Sequence, residues 1–296
     1  MNHILILSDG RIGHLNQSLA LAKYLDFPYT VIDVRFKKRS YKLLSYFFDK
    51  LGFYTTALFT MKKLENYTLV VGTGSSTYYA VKALAKEGKV KSISMMLPKG
   101  YKYNFDLIFA QSHDAPPKQE NIVEIPANFS YSEPKRLYRA KKASIGIVIG
   151  GDNKVFTMHK SKLEKQLNFI ADYYPEYEIA ISTSPRTSQT IENLVQSYDY
   201  DYEVIFSKNP INPIPDFLDQ CETVFITGDS TSMISDAIAY GSANVVVLPL
   251  ESQEDNKFTQ FVNSLEVEKY LHVFDGSIEK KNRKIDFRKY LHGVEL

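Results

Sequence analysis

At 296 residues, with 44% hydrophobic and 24% charged residues, the chain has room for two ordinary domains of roughly 150 residues each and the balance of a globular protein, which excludes disordered, collagen-like and disulfide-scaffold classes. A formal net charge of +2 is too small for a dedicated nucleic-acid protein, which must neutralise many phosphates. The single cysteine, Cys221, excludes an internal disulfide, suits a reducing compartment and is expected to be a small buried residue.

The first predicted strand, residues 4–7, is apolar and runs into Ser8, Asp9, Gly10, Arg11, Ile12, Gly13 and His14, ahead of a helix predicted over 16–25. It is too short for a signal-peptide core, and no apolar run approaches the ~18 residues that cross a bilayer, so a cytoplasmic protein is expected. An imidazole at His14, where the helix begins, can take a proton from a hydroxyl or from water, with Asp9 orienting it or stabilising its charge. The alternative is that His14 only caps the helix and Asp9 only turns the chain. Residues 35–63 then interleave Lys37, Lys38, Arg39, Lys42, Lys50, Lys62 and Lys63 with Tyr41, Tyr46, Phe47, Phe48, Phe53 and Tyr54. That pattern fits either a peripheral contact with an anionic membrane or a half-buried helix.

A strand over 69–71 leads through Thr73, Gly74, Ser75, Ser76 and Thr77 into a helix. The run echoes a later one, Thr227-Gly228-Asp229-Ser230-Thr231, and the shared strand, Thr-Gly-x-Ser-Thr and helix predict one repeat unit in each half. A strand over 107–109 ends in His113 and Asp114. Neighbours in extended chain point apart, so these two are expected as separate contacts, with either acid–imidazole pair able to supply a base. Residues 130–142, with Pro134 and the cations Lys135, Arg136, Arg139, Lys141 and Lys142, read as an exposed linker. The expected domains are therefore 1–134 and 135–296, with the C-terminal helices packing back on the first.

In the second half a strand over 145–149 ends in Gly150, Gly151, Asp152, Asn153 and Lys154, where paired glycines let the backbone approach a ligand closely. A strand over 179–182 ends in the polar turn Thr183, Ser184, Pro185, Arg186, Thr187. Asp199-Tyr200-Asp201 has the look of an Asp-x-Asp metal motif but reads as a surface loop before a strand over 202–206. No His or Cys cluster has metal-ligand spacing, so neither metal nor cofactor is expected. The strand over 224–226 leads to the helix that Ser230 or Asp229 caps and Gly241 closes. Such a helix start suits a phosphate, but Asp229 would repel one unless a cation such as Arg186 stands nearby. Asp229, Ser232, Met233 and Asp236 recur at helical spacing, and Asp236 can accept bonds from two ribose hydroxyls. With the last strand over 245–248, strand alternates with helix throughout. This predicts an α/β fold with parallel sheets and the polar turns gathered on one edge of each.

Taken together, Asp9-Gly10-Arg11-x-Gly13-His14-x-Asn16-Gln17-Ser18, Thr183-Ser184-x-Arg186-Thr187 and Thr227-Gly228-Asp229-Ser230-x-Ser232-Met233 resemble the mitochondrial-fission ELM-type family over nearly the whole chain. The resemblance implies a GT-B-like fold: two Rossmann-like domains facing across a cleft, with the donor nucleotide on the C-terminal one. It also implies a metal-independent glycosyltransferase of surface-glycan assembly that moves a sugar from a nucleotide-sugar donor to a glycan or lipid-linked acceptor. Pro185 stands where the family often has a second arginine, and Asp236 where glutamate is usual. The helix carrying Asp236 looks like the ribose-holding segment of lipid-linked-glycan transferases. The Gly13-His14 loop also resembles that of a nucleotide-sugar hydrolase, which keeps a hydrolase or epimerase open. A non-catalytic membrane-recruiting scaffold using residues 35–63 is the third reading. On the transferase reading Gly74 and Ser75 belong to the facing domain and not to a second nucleotide site.

Overall fold

The computed structural model describes residues 2–62, 64, 66–252, 256–278 and 282–293; Lys63 of the basic run lies outside them. It divides into two compact units, Met1–Tyr131 with Asp286–Leu296, and Ser132–Ile285. No helix among the described residues is long and apolar enough to cross a membrane.

The amino-terminal unit is built on a six-stranded parallel sheet of β1 (Ile4–Ser8), β2 (Tyr29–Asp33), β3 (Leu69–Gly72), β4 (Lys91–Ser94), β5 (Leu107–Gln111) and β6 (Ile122–Ile125), in the order β2-β1-β3-β4-β5-β6. β1, β3 and β5 are buried at every position, as apolar strands covered on both faces are. β2, β4 and β6 escape the sequence reading for a physical reason. Only Ile32 is buried in β2, and β4 carries Ser92 and Ser94, so neither shows an apolar run. Ser92 is tolerated in the sheet because its amide and its hydroxyl both donate to the Asp106 carboxylate, at 2.8 and 2.6 Å.

Three helices complete this unit: α1 (Ile12–Leu25), α2 (Ser40–Leu51) and α3 (Tyr78–Gly88). α1 starts at Ile12, not at residue 16. The Arg11 carbonyl accepts the amides of His14 and Leu15, so Gly13 is absorbed in the first turn. α3 is buried continuously from Tyr78 to Ala85, which includes Lys82. Its ammonium donates to Asp49 of α2 at 2.7 Å, to the Lys102 carbonyl at 2.7 Å and to Asn104 Oδ1 at 2.6 Å. Burial lowers the Lys82 pKa, and all three donors being matched is what lets a cation sit there. The C-terminal 3₁₀ turn, Phe287–Leu291, belongs to the same unit; Phe287 stacks on Phe129 with ring centroids 4.7 Å apart.

The carboxy-terminal unit has its own six-stranded parallel sheet: β7 (Ser144–Val148), β8 (Glu178–Ser182), β9 (Tyr202–Val204), β10 (Thr223–Thr227), β11 (Asn244–Leu248) and β12 (His272–Val273). Its helices are α4 (Lys160–Tyr173), α5 (Gln189–Val195), α6 (Ile214–Gln220), α7 (Thr231–Ala239) and α8 (Lys257–Val267). The order β9-β8-β7-β10-β11-β12 is third, second, first, fourth, fifth, sixth, the doubly wound dinucleotide-type order. It reverses between β7 and β10; in the amino-terminal sheet the reversal falls between β1 and β3. Ligands of open α/β sheets bind outside the carboxyl ends of the strands at such a reversal. Cys221 is buried and its thiol is pushed up to about 12 by desolvation, as a structural cysteine should be.

Residues 130–142 are not a free linker. The buried Asp216 carboxylate accepts the amides of Lys135, Arg136 and Leu137 at 2.8–2.9 Å, and the Tyr138 hydroxyl donates to buried Glu178 at 2.8 Å. The charges of this segment are solvated, but its backbone is fastened to the carboxy-terminal unit.

Lys284 donates to the Ala237 carbonyl at 2.7 Å in the last turn of α7, and burial drops its pKa from 10.5 to about 8. Between those two values the unfolded chain binds the extra proton, so stability rises with pH across that window. Urea midpoints at about pH 7.5 and about pH 10 should therefore differ more for the wild type than for Lys284→Met. Equal differences would reject the assignment.

Candidate active site

In the carboxy-terminal unit three turns meet at the carboxylate of Asp229, which is buried just after β10. Its Oδ1 accepts the Thr227 hydroxyl at 2.6 Å; its Oδ2 accepts the Gly151 amide at 3.2 Å and Nη2 of Arg186 at 2.6 Å. Thr227 Oγ1 in turn accepts the Gly150 amide at 2.7 Å. The carboxylate thus ties together the ends of β7, β8 and β10. Desolvation raises its pKa, against the opposing pull of Thr227, Arg186 and Gly151. Asp229 does not cap α7: the cap is Ser230, whose side chain accepts the Met233 amide.

The glycines divide by what surrounds them. A Cβ on Gly150 would stand 2.1 Å from Asp229 Oδ1, and one on Gly151 2.0 Å from the Arg186 carbonyl oxygen. The close approach these glycines allow is made by the protein's own groups. Gly228 is different: its nearest neighbours to an added Cβ would be Val247 Cγ1 at 3.4 Å and the Leu248 oxygen at 3.6 Å. Nothing within the protein requires a glycine there.

The hydroxyls of the β8 turn face inward. Thr183 Oγ1 donates to buried Glu192 and accepts the Phe206 amide, Ser184 Oγ accepts the Arg186 amide, and Thr187 Oγ1 accepts the Ser184 amide while donating to the Gly150 carbonyl. They shape the turn; Arg186, its side chain 40% exposed, is the member of the turn that offers charge to solvent. Only one of its five N–H donors is spent on Asp229. Lys154 is exposed, and Ser232, Met233 and Asp236 are half-buried on α7. Asn153, read in the sequence only as part of the turn, donates to the Asp229 carbonyl and accepts the amides of Val155 and Phe156, and Glu192, which escaped the sequence reading, braces Thr183. An asparagine in a turn signals the first; nothing local signals the second.

In the amino-terminal unit, His14 Nδ1 lies 3.0 Å from Asp9 Oδ2, and Asp9 Oδ1 accepts the Arg11 amide at 3.2 Å. An ionised carboxylate only accepts, so the pair assigns a proton to Nδ1, and in the neutral imidazole Nε2 is then the nitrogen that keeps its lone pair. Gly74, with φ +89°, fits beneath the imidazole: a Cβ there would meet His14 Cε1 at 2.4 Å. Thr73 Oγ1 bonds Ser18 at 2.9 Å, and Ser75 accepts the Lys42 ammonium at 2.8 Å. The echo between the two Thr-Gly turns is structural, since β3 and β10 each pair directly with the first strand of their own sheet. The turns differ in detail, because Gly74 is left-handed and crowded while Gly228 is neither.

His113 and Asp114 lie in a 3₁₀ turn, Ser112–Asp114, and not in extended chain; Asp114 is paired with Lys99 at 2.5 Å. Tyr78 is buried at the start of α3. Burial pushes its phenol well above the ordinary range, helped by the charges of Asp114 and Asp9 and opposed by bonds to Gly74 and Ser94. Tyr78 and Lys99 were not singled out in the sequence, and Lys42 only as a member of the basic run over 35–63. Gly10 and Arg11 are exposed, and the half-buried Gly13 offers its carbonyl to Gln17. Among the described residues no group of three or more His, Cys, Asp or Glu side chains is placed to hold a metal ion. Asp199 and Asp201 are exposed, and Asp201 instead accepts the Ile179 amide.

The model of the family described as mitochondrial fission ELM1 matches residues 12–289. An uncharacterized protein of Rickettsia prowazekii is 24% identical over 327 residues, covering 93% of this chain and 91% of that one. Among solved structures, the glycosyltransferase SnogD of Streptomyces nogalater superposes with a TM-score of 0.50 at 11% identity, covering 93% of this chain and 86% of that one. A Listeria monocytogenes protein provisionally described as a UDP-N-acetylglucosamine 2-epimerase gives a TM-score of 0.51 at 11% identity, covering 88% and 81%. At such identities the likeness is one of fold, shared by transferases and an epimerase alike.

Proposed function

This chain belongs to the mitochondrial fission ELM1 family, and from that premise we propose that it is a metal-independent glycosyltransferase using a nucleotide-sugar donor. The observation that carries the reading is the constellation at the reversal of the carboxy-terminal sheet. There Arg186, held by Asp229 through Nη2 and with its side chain 40% exposed, stands with the Gly228 turn and the start of α7. In this reading the donor diphosphate takes Arg186 and the α7 N-terminus, while Asp236 receives the ribose hydroxyls. The amino-terminal unit binds a glycan or lipid-linked acceptor of surface-glycan synthesis on the cytoplasmic side. His14, its Nδ1–H held by Asp9, takes the proton from the acceptor hydroxyl at Nε2 as the new glycosidic bond forms and the nucleoside diphosphate departs. Arg186 and the helix dipole stabilise the negative charge that develops on the leaving phosphate.

A hydrolase is the second reading, favoured by the same Asp9–His14 pair, which activates water as readily as a sugar hydroxyl. Free sugar released at a rate indifferent to glycan or lipid extracts would decide for it.

Thermal unfolding with UDP, GDP, CMP and their sugars tests the donor site. A matching nucleotide at 100 times its Kd should add about 2.7 kcal/mol of stability, and Arg186→Ala should remove most of that gain. If no nucleotide raises the melting temperature, the donor assignment fails.

A further inference from the structure

The helix α2 carries apolar side chains on two faces. Tyr41, Leu44 and Phe48 pack on the core of the amino-terminal unit. Away from it, Leu43, Phe47 and Leu51, spaced one turn apart, are 73%, 56% and 66% exposed, and Phe53 just beyond the helix is 53% exposed. Burying none of these costs stability that a solvent-facing helix does not ordinarily forgo, and an apolar stripe of this kind marks an interaction surface.

The charges around the stripe identify what covers it. Arg35, Lys37, Lys38, Arg39, Lys50 and Lys62 are exposed, whereas the only acid between residues 35 and 62, Asp49, is buried in its pair with Lys82. Asp33 and Glu87 lie at the margins, Glu87 beside Thr56. A second copy of the chain would set like charges against like. The complement of this face is a surface negative at its rim and apolar just beneath, the cross-section of an anionic phospholipid leaflet.

We propose that α2 and its flanking segments are a docking surface for an anionic lipid bilayer. Leu43, Phe47, Leu51 and Phe53 enter the acyl boundary while the lysine and arginine heads reach the phosphates. Lys42 of the same helix donates to Ser75 at 2.8 Å, so the helix that carries the docked face is tied to the turn holding Gly74 beneath His14. The surface stands whether or not the chain transfers sugars.

The test is co-sedimentation of the full chain with vesicles of phosphatidylcholine alone, and with roughly one third phosphatidylglycerol, at low and high salt. Binding should be about tenfold stronger on the anionic vesicles, weaken with salt, and fall by about tenfold in Leu43→Glu/Phe47→Glu, whose melting temperature should match the wild type because both sites are exposed. Phe47→Trp gives a second readout that leaves the apolar face intact. The chain has no other tryptophan, so its emission should shift to the blue on anionic vesicles only. Equal binding to both vesicle types, an unmoved Trp emission, or a dimer dissolved by the Glu substitutions without any vesicle binding would each overturn the proposal.

Discussion

Gly151→Ala should cost the carboxy-terminal unit about 3 kcal/mol, read as a lower urea midpoint at unchanged slope. The added Cβ would stand 2.0 Å from the Arg186 carbonyl oxygen and 2.3 Å from its carbon, and these are backbone atoms, not a flexible side chain that can swing aside. The turn they belong to is anchored by the Ser184 hydroxyl on the Arg186 amide and by the Thr187 hydroxyl on the Gly150 carbonyl. The methyl must therefore displace the β8 turn as a body, and the Arg186–Asp229 pair with it. Gly228→Ala is the internal control, since its methyl would meet nothing nearer than 3.4 Å. It should cost well under ~1 kcal/mol, within the range of an ordinary uncrowded substitution. Similar losses at the two positions would show that the clash at Gly151 relaxes freely.

His14→Ala should lower transfer, or hydrolysis if water is the acceptor, by about 10²- to 10⁴-fold, the usual contribution of a positioned general base. Nucleotide-induced stabilisation should be untouched, because no contact assigned to the donor involves His14. Gly74→Ala probes the same imidazole from below, since its Cβ would come 2.4 Å from His14 Cε1 and 2.5 Å from Nδ1 at a backbone φ of +89°. It should depress turnover while leaving nucleotide affinity unchanged, and pressing on the ring should also shift the pH profile of the rate. Activity within about tenfold of wild type in His14→Ala would remove His14 as the base and direct attention to His113, the other imidazole at the carboxyl edge of that sheet.

Much of the architecture is legible without coordinates. The apolar runs that became β1, β3, β5, β7, β8, β10 and β11 are visible because strands covered on both faces need apolar residues at nearly every position. The edge and polar strands β2, β4 and β6 are invisible for the converse reason. Their exposed positions or serines are stabilised by partners such as Asp106, which lies 14 residues from Ser92 in the chain. The stretch around residue 135 misleads in the same way: its charges announce solvent, whereas what fixes its backbone is Asp216, 81 residues further on.

The candidate site follows the same division. That Asp9, His14, Arg186, Asp229 and the paired glycines lie at strand ends follows from alternation of strand and helix, a property of neighbours along the chain. Their roles do not follow from it. Asp229 reads as one of two candidate caps and is instead the knot of three turns, and Gly150 and Gly151 read as room for a ligand and are filled by Asp229 and Arg186. By itself the sequence determined the fold class and which turns carry polar groups, because periodicity and spacing are local, while the family entered through the resemblance of its motifs. Only the tertiary structure decided which of those groups face each other, because that depends on strand order: β7 and β10 are neighbours in the sheet with their end turns 77 residues apart in the chain.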